Sequence, residues 1–298
     1  MRREISLHSS LPARRSRLAV GIASLLLAVI VGDRSARAEA DVDPQAAPLI
    51  WTSPAPGFDV TELSVLERGH EVERIHLTRV DTKKFKFEVH TAPAAARELT
   101  DWMKVTGAVM IANGSYFDRD GNPATPVVSR GKALGPKAYG TKHGAFVVSP
   151  AGTGVQDLGR SRWQQAFRGA TEAMVSFPML IGADGRSRAH NSNPLLTANR
   201  TFIGQDSAGR VIVGTTKAAY FSLDRFADFL AVSGLGLTRA LNLDGGPPAC
   251  QAVAIGTFRR SVCANSETSS DAGQLRVLGQ LFGQRPWGLP IVLAVFPK

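Results

Sequence analysis

Two stretches of the chain share a pattern that limits how it can fold: an apolar strand that runs directly into a polar residue and glycine. Residues 240–246 are Ala-Leu-Asn-Leu-Asp-Gly-Gly, and residues 108–114 end in Ala-Asn-Gly. Glycine adopts backbone angles that are closed to other residues, so each stretch predicts a buried strand that ends in a sharp turn. If the two units lie side by side, Asn113 and Asp244 meet at the same edge of a sheet.

The remaining pattern predicts an α+β fold, a single domain with a mixed, curved β-sheet and flanking helices. Alternating apolar residues predict hairpins over residues 60–80 and 200–214, and an apolar strand over residues 291–296. Helices are predicted over residues 93–106 and after Ser222, because both stretches place apolar residues on one face and end at glycine.

The N-terminus has the three-part layout of a secretory signal peptide. Five arginines precede an unbroken apolar run over residues 18–31, and Ala36-Arg37-Ala38 follows as a small-residue cleavage site. The run is shorter than the roughly 20 residues that span a bilayer, although an uncleaved anchor is the alternative. The sequence therefore predicts a signal peptide over residues 1–38, a proline-rich linker or surface strap over residues 39–57 and a domain over residues 58–298. The location would be periplasmic or secreted, with no stable membrane span after cleavage.

The positive charge of the chain comes partly from this predicted signal. Residues 1–38 hold seven of the 35 basic residues and two of the 25 acidic ones, which leaves 28 basic against 23 acidic residues and a net charge of +5. A mild positive balance favours anionic partners. No cluster of lysine and arginine is dense enough to indicate nucleic acid as a partner.

The two cysteines, Cys250 and Cys263, lie close together in the mature part of the chain. In an exported protein such a pair favours a disulfide. A metal site is the alternative, but two cysteines with no histidine nearby fall short of a zinc ligand set.

Four motifs in order resemble those of the phosphodiester glycosidase family. They are residues 113–118 (Asn-Gly-Ser-Tyr-Phe-Asp), 177–181 (Phe-Pro-Met-Leu-Ile), 200–204 (Arg-Thr-Phe-Ile-Gly) and 242–246 (Asn-Leu-Asp-Gly-Gly). The resemblance covers roughly residues 58–298, the size of one domain. One segment departs from it: the family usually continues Asp-Gly-Gly with glycine or proline, then serine, then serine or threonine, whereas this chain has Pro247-Pro248-Ala249-Cys250.

The resemblance implies hydrolysis of the bond between a sugar's anomeric carbon and a phosphodiester. Asp244 would be the general base or nucleophile, Arg200 would clamp the phosphate with two parallel hydrogen bonds, and Asn113 would donate to phosphate or sugar. A phosphodiester leaves with little protonation, so one carboxylate could suffice. No metal or cofactor is expected. Further substrate contacts are expected from Gly114, Tyr116, Asp118, Gly245 and Gly246.

Further residue patterns bear on the function. The alternating acidic residues at 118–122 are similar to the start of a calcium loop, but no glutamate closes it, so a surface turn is favoured. His143 lies in a glycine-rich stretch within reach of the predicted site. No serine-hydrolase elbow, P-loop or dinucleotide fingerprint is present. The competing function is a non-catalytic module that binds a cell-envelope glycan on the same scaffold, which the altered segment at residues 247–250 favours.

The signal-peptide layout gives the first testable prediction. We expect the secreted protein to begin at Glu39, because cleavage after Ala38 removes the arginine-rich and apolar segments. N-terminal sequencing of the secreted protein checks this, and a sequence that begins at Met1 or Arg2 would contradict both the cleavage and the charge argument.

Overall fold

The structure is a computed structural model that describes residues 43–140, 143–190, 193–264, 266–271, 274–279 and 288–298. They belong to a compact unit, Val42–Lys298. The predicted signal peptide over residues 1–38 lies outside the described residues.

Strands make up most of the regular structure of the described residues, and the helices are short. In chain order the strands are β1 (Gln45–Ala46), β2 (Thr52–Ala55), β3 (Phe58–Glu67), β4 (His70–Val80), β5 (Phe85–Thr91), β6 (Met110–Asn113), β7 (Val127–Ser129), β8 (Lys132–Leu134), β9 (Gly144–Ser149), β10 (Gly152–Asp157), β11 (Glu172–Ser176), β12 (Met179–Ile181), β13 (Thr201–Asp206), β14 (Val211–Thr216), β15 (Leu237–Asn242), β16 (Cys250–Ile255), β17 (Phe258–Cys263), β18 (Ser266–Asp271), β19 (Gln274–Gly279) and β20 (Ile291–Pro297). The helices are α1 (Leu99–Thr106), α2 (Trp163–Ala166) and α3 (Leu223–Val232), with a 3₁₀ turn at Pro93–Ala95.

Within the described ranges, the strands form three sheets and a separate hairpin. Sheet A has the order β1–β3–β4–β14–β13–β15–β12, with β2 also paired to β3. Sheet B has the order β10–β9–β11–β7–β8, sheet C has the order β17–β16–β6–β20–β5, and β18 pairs with β19. The architecture is mostly β with a curled half-barrel sheet. The expected α+β class is therefore correct only in outline, and the expected mixed sheet is wrong, because each described strand pairing is antiparallel.

The three sheets enclose a common core, and each carries a helix on its outer face. Phe87 of sheet C, Phe146 of sheet B and Ile203 of sheet A belong to one buried cluster. Helix α3 packs outside sheet A, α1 outside sheet C and α2 outside sheet B. Both faces of a central strand are thus removed from water. Each fully buried large apolar side chain contributes roughly 1.5–3 kcal/mol to the stability of the fold. This explains why the central strands are nearly continuous apolar runs.

Both predicted hairpins are confirmed. Strands β3 and β4 pair from Phe58 opposite Val80 to Glu67 opposite His70, and β13 pairs with β14. Arg68 and Gly69 connect the first pair with positive φ angles of 52° and 80°. Such angles match the right-handed twist of the flanking strands.

The predicted helix over residues 93–106 is shorter in the structure. A 3₁₀ turn ends at Ala95, and α1 begins only at Leu99. Between them Arg97 forms a β-bridge with Leu289, and Trp102 Nε1 donates to Leu289 O at 2.8 Å. Tertiary pairing therefore overrides the local helical pattern, while the predicted end at glycine is confirmed by the left-handed Gly107.

The segment predicted as a linker over residues 39–57 contributes to the sheet in its described part. Strands β1 and β2 both pair with β3, and Thr61 Oγ1 donates to Ile50 O at 2.6 Å. The pairing was missed because four prolines and weak alternation hide strands this short. Among the described helices, none has the length and apolar character needed to cross a membrane.

The predicted disulfide between Cys250 and Cys263 is confirmed. The two cysteines face each other across β16 and β17, with Cα atoms 4.1 Å apart. The two bridged cysteines are 13 positions apart in the sequence. It joins the two strands at the end nearest to the Asp244 turn.

We therefore expect reduction to lower the Tm of the folded protein, since the bridge contributes on the order of 3 kcal/mol in the chain-entropy model. Thermal denaturation with and without reductant measures the effect. The double variant Cys250→Ala/Cys263→Ala, whose Tm should not respond to reductant, is the control. Two titratable thiols in the folded, oxidised protein would contradict the bridge.

Candidate functional site

The turn after β15 carries Asp244 and is held by main-chain hydrogen bonds on both sides. Asp244 N donates to Gly114 O at 3.2 Å, and Gly246 N donates to Asn199 O at 2.9 Å. Gly246 has a φ of 66°, in the region that glycine adopts without a steric cost. The turn is therefore held on one side by Gly114, which follows β6 of sheet C, and on the other by Asn199, which precedes β13.

Asn113 joins this turn to the disulfide strand. Its Nδ2 donates to Asp244 O at 2.8 Å, and its Oδ1 accepts a hydrogen bond from Cys250 N at 3.0 Å. The predicted meeting of Asn113 and Asp244 is confirmed, although the two residues come from sheets C and A rather than from one sheet edge. The side chain is only 1% exposed. The structure thus shows Asn113 as a brace for the turn, and the substrate contact expected from the sequence stays a prediction.

Arg200 is buried beside the turn with most of its guanidinium anchored. Nε donates to Phe221 O at 3.2 Å, and Nη2 donates to Leu196 O at 3.0 Å and to Phe221 O at 3.2 Å. Within the described part of the chain, Nη1 makes no hydrogen bond. A methyl group added at Gly245 would lie 3.6 Å from Nη1. One corner of the guanidinium therefore faces the Asp244 turn, and burial lowers the pKa of Arg200 without removing its charge.

A buried carboxylate fixes the loop that anchors Arg200. Glu73 is 2% exposed, and its Oε1 accepts hydrogen bonds from Lys217 N at 3.0 Å and from Ala218 N at 2.7 Å. This loop leads directly to Phe221, whose carbonyl oxygen holds Arg200. Burial raises the pKa of Glu73 to about 7 against the opposing effect of these backbone donors.

The Asp244 carboxyl lies in an environment that makes it unusually basic. Burial raises its pKa to about 7, and the negative charge of Glu267 acts in the same direction. A hydrogen bond from the Gly245 main chain opposes both effects. A carboxyl with a pKa near neutrality suits proton transfer, since it takes and releases a proton at working pH.

Glu267 is a candidate site residue that the sequence analysis missed. It lies on β18, and Ala198 forms a β-bridge with it. A methyl group added at Gly246 would lie 2.6 Å from Glu267 Oε2, so the carboxylate lies against the turn. Its charge acts on both Asp244 and Arg200. The segment 265–271 is polar with no apolar alternation, so its only sequence signal is an isolated acidic residue after Cys263.

An aromatic stack borders the site. Tyr116 stacks on Phe177 with ring centroids 4.2 Å apart, and His143 stacks on the same phenylalanine at 4.7 Å. Tyr116 OH donates to Phe177 O at 2.8 Å and accepts from Asn242 Nδ2 at 2.8 Å. Burial and the Asp244 charge raise the pKa of Tyr116, and burial lowers that of His143, so both rings are neutral near pH 7. Asn242 is the first residue of the motif at residues 242–246, but its hydrogen bond with Tyr116 was not predicted.

The predicted glycines are explained by close packing. A methyl group at Gly114 would lie 2.6 Å from Ile291 Cγ2, and those at Gly245 and Gly246 would approach Asn199 O and Glu267. These glycines therefore allow the turn, its brace and the acidic residue to approach one another.

Asp118 lies on an exposed turn that it stabilises itself. Its Oδ1 accepts hydrogen bonds from Asp120 N and Asn122 N at 2.9 Å each. The substrate contact expected of Asp118 stays a prediction. Among the described residues, no group of three or more histidine, cysteine or acidic side chains is arranged to hold a metal ion.

The segment that departs from the family pattern is buried behind the turn. Pro247, Pro248 and Ala249 are all buried, and Ala249 N donates to Gly246 O at 3.0 Å. The two prolines have no N–H, and none of the three residues carries a hydroxyl group. The side chains of these three residues therefore offer no hydrogen-bond donor.

Comparisons with known proteins identify a family and a shared fold. A family model for phosphodiester glycosidases, NAGPA, matches residues 106–276. The catalytic domain of zebrafish N-acetylglucosamine-1-phosphodiester alpha-N-acetylglucosaminidase, auto-inhibited by its pro-peptide, is similar with a TM-score of 0.58 and 16% identity, over 86% of this chain and 89% of that chain. A hypothetical protein from Synechocystis is similar with a TM-score of 0.53 and 14% identity, over 85% of this chain and 64% of that chain.

At such identities the two structures show a shared fold only. A search of curated protein sequences gives no match. The family model, however, covers more than half of the chain and spans Asn113, Arg200, Asp244 and Glu267. This chain therefore belongs to the phosphodiester glycosidase family.

Proposed function

We propose that this protein is an exported hydrolase that cleaves the bond between a sugar's anomeric carbon and a phosphodiester. The observation that carries the proposal is the arrangement of Asp244, a carboxyl with a pKa raised to about 7, beside an anchored Arg200 with one free corner. The family supports a hydrolase that acts on phosphodiester-linked sugars. The disulfide and the N-terminal pattern support export.

The chemistry of the leaving group explains why a sparse site suffices. Ordinary glycoside hydrolysis needs an acid to protonate a poor leaving group and a second carboxylate on the other face of the sugar. A phosphodiester already shares its negative charge over its oxygens and leaves with little protonation. The site then needs a cation to hold the phosphate and a base or nucleophile for the reaction at the anomeric carbon. Arg200 supplies the cation, and Asp244 is the base or nucleophile.

Arg200 suits a phosphate clamp because its position does not depend on substrate. Two carbonyl oxygens, those of Leu196 and Phe221, hold Nε and Nη2. The guanidinium plane is therefore fixed before an anion arrives, so little side-chain entropy is lost on binding. Its charge lies in a buried setting, where it acts more strongly on phosphate than it would in water.

The charge of Glu267 raises the pKa of Asp244. Two carboxylates near one another resist being charged together, so the charge of Glu267 adds to the effect of burial on the pKa of Asp244. A base with a higher pKa is also a stronger base, which favours activation of water.

The first substrate to test follows from the name of the zebrafish relative, which cleaves N-acetylglucosamine-1-phosphodiesters. The competing function, a non-catalytic module that binds an envelope glycan, is favoured by the segment 247–250, which offers no hydroxyl group to a substrate. The two functions differ in turnover, so sugar release by the mature protein separates them.

We expect Asp244→Asn to reduce sugar release from methyl-phospho-N-acetylglucosamine by roughly a hundredfold or more while substrate binding stays close to normal. The variant keeps the shape of the side chain but loses its basicity. Arg200→Lys should weaken both binding and rate, since lysine keeps the charge but loses the guanidinium plane that the Leu196 and Phe221 carbonyl oxygens hold in place. Kinetics of sugar release and calorimetric binding measure the two effects.

Matched controls for these variants are Asp101→Asn and Arg119→Lys, which change the same residue types at exposed positions. In the native enzyme, kcat/KM should rise as pH increases through about 7, where Asp244 loses its proton, and should then reach a plateau. A native protein without turnover, with Asp244→Asn altering affinity alone, would support the binding module. A steep fall in kcat/KM from neutral to mildly alkaline pH would show an essential general acid and contradict the single-carboxylate mechanism.

A separate prediction concerns Glu267. Glu267→Gln removes a charge that raises the pKa of Asp244, so the acid limb of the pH–rate profile should move to lower pH. The amide keeps the volume that lies against Gly246, and a native Tm for the variant would show that packing is intact. An acid limb that does not move, or that moves to higher pH, would rule out this coupling.

A further inference from the structure

Two adjoining cavities lie beyond the Asp244 site and share Arg160. The first has a volume of about 840 Å³ and is lined by Tyr139, Arg160, Arg162, Trp163, Gln164 and Gln165, among others. The second has a volume of about 580 Å³, and its lining includes His143, Asp157, Arg160 and Arg188. Because both contain Arg160, we treat them as one surface, called the arginine groove.

The groove carries a net positive charge. Arg160 and Arg162 are exposed, and neither guanidinium makes an ion pair within the residues that the structure describes. Arg188 pairs with Asp184 at 3.1 Å, whereas the carboxylate of Asp157 accepts a hydrogen bond from Gly159 N at 2.7 Å and keeps its negative charge. The second cavity thus holds charges of both signs, while the described lining of the first holds two arginines and no acidic side chain.

The other lining groups of the first cavity suit a sugar chain. The amides of Gln164 and Gln165 are exposed, and amides donate to and accept from sugar hydroxyls. The Trp163 ring is held edge-to-face on Phe167 at 5.4 Å, which fixes an aromatic surface in the groove. Aromatic rings bind large apolar surfaces at a low entropic cost, and the apolar face of a sugar ring is such a surface.

The groove continues to the proposed catalytic site through the aromatic stack. His143 lines the second cavity and stacks on Phe177, which in turn stacks on Tyr116 at the border of the Asp244 site. A single ring, that of Phe177, therefore separates Tyr116 from His143 in the lining of the groove.

We propose that the arginine groove is the subsite for the aglycone, and that the aglycone is an acidic oligosaccharide that carries carboxylate or phosphate groups. This inference rests on the proposed function, since it names what lies beyond the phosphate. Arg160 and Arg162 bind the anionic groups with paired hydrogen bonds, and the glutamines and Trp163 bind the sugar rings. The charges are exposed to solvent, so added salt should weaken binding.

Calorimetric titration of the mature, full-length secreted chain tests the groove with three six-sugar probes. They are hexagalacturonate, maltohexaose that carries phosphate monoesters, and neutral maltohexaose. We expect one or both acidic probes to bind and the neutral probe to bind at least tenfold more weakly, and the difference between the acidic probes identifies the preferred anion. Equal binding of neutral and acidic probes, or binding of none, would overturn the proposal.

The variant Arg160→Ala/Arg162→Ala should raise the Kd of the preferred acidic probe at least tenfold. Arg168→Ala is the matched control, because this exposed arginine lies in the same segment outside the groove lining. An equal loss in Arg168→Ala would show attraction by general surface charge and overturn the proposal. Gln164→Ala, which removes no charge, should weaken binding less than the double variant.

Catalysis then separates this inference from the proposed function. Methyl-phospho-N-acetylglucosamine is too short to reach the groove, so the double variant should hydrolyse it at the native rate. A substrate with an acidic oligosaccharide aglycone should have a higher native kcat/KM, and the double variant should lose that advantage. Absence of turnover on both substrates contradicts the proposed function, whereas turnover on both without any advantage for the acidic aglycone contradicts the subsite alone.

Discussion

The candidate site depends on one buried amide. Asn113 spans the gap between sheet C and the turn that leaves sheet A, with its Nδ2 on Asp244 O and its Oδ1 on Cys250 N. A buried amide with both ends bonded is stable only in one orientation, because an unpaired donor or acceptor in this setting costs about 1–3 kcal/mol. The brace therefore fixes where the turn lies, while the carboxyl of Asp244 stays available for chemistry.

Buried charges around the turn are positioned by main-chain groups rather than by opposite charges. Arg200 is held by the carbonyl oxygens of Leu196 and Phe221, and Glu73 by the N–H groups of Lys217 and Ala218. If Arg200 were paired with a carboxylate, phosphate would have to displace that partner. Main-chain anchoring fixes the guanidinium without neutralising it, which is what the proposed phosphate contact requires.

Local sequence patterns predicted the parts of the fold that depend on neighbours in sequence. The hairpin of β3 and β4 and the left-handed stop at Gly107 follow from alternation and glycine chemistry. The association of Asp244 with Asn113 was also predicted, since both follow an apolar strand. The assignment of these strands to two different sheets was not, because the antiparallel pairing of β6 with β16 and β20 joins segments distant in sequence.

The same limit applies to the site. Glu267 reaches Gly246 through the bridge between its strand and Ala198, a contact between segments almost 70 residues apart. Nothing in the polar segment around Glu267 marks it in advance. The motif of Asn113 predicted its place beside Asp244 but not the hydrogen bonds that its amide makes there. Residue type and motif thus predict proximity, whereas tertiary packing decides which atoms remain free to react.

The segment after the turn bears on how the proposed site could bind phosphate. The family usually continues Asp-Gly-Gly with glycine or proline and then two hydroxyl residues, so Pro247 fits the pattern, whereas Pro248 and Ala249 stand at the hydroxyl positions. Pro247 and Pro248 also lack a main-chain N–H, and all three residues are buried directly after Gly246. Under the proposed function, anion binding would therefore depend on Arg200 and, beyond the aromatic stack, on the arginine groove, where recognition does not involve the altered segment.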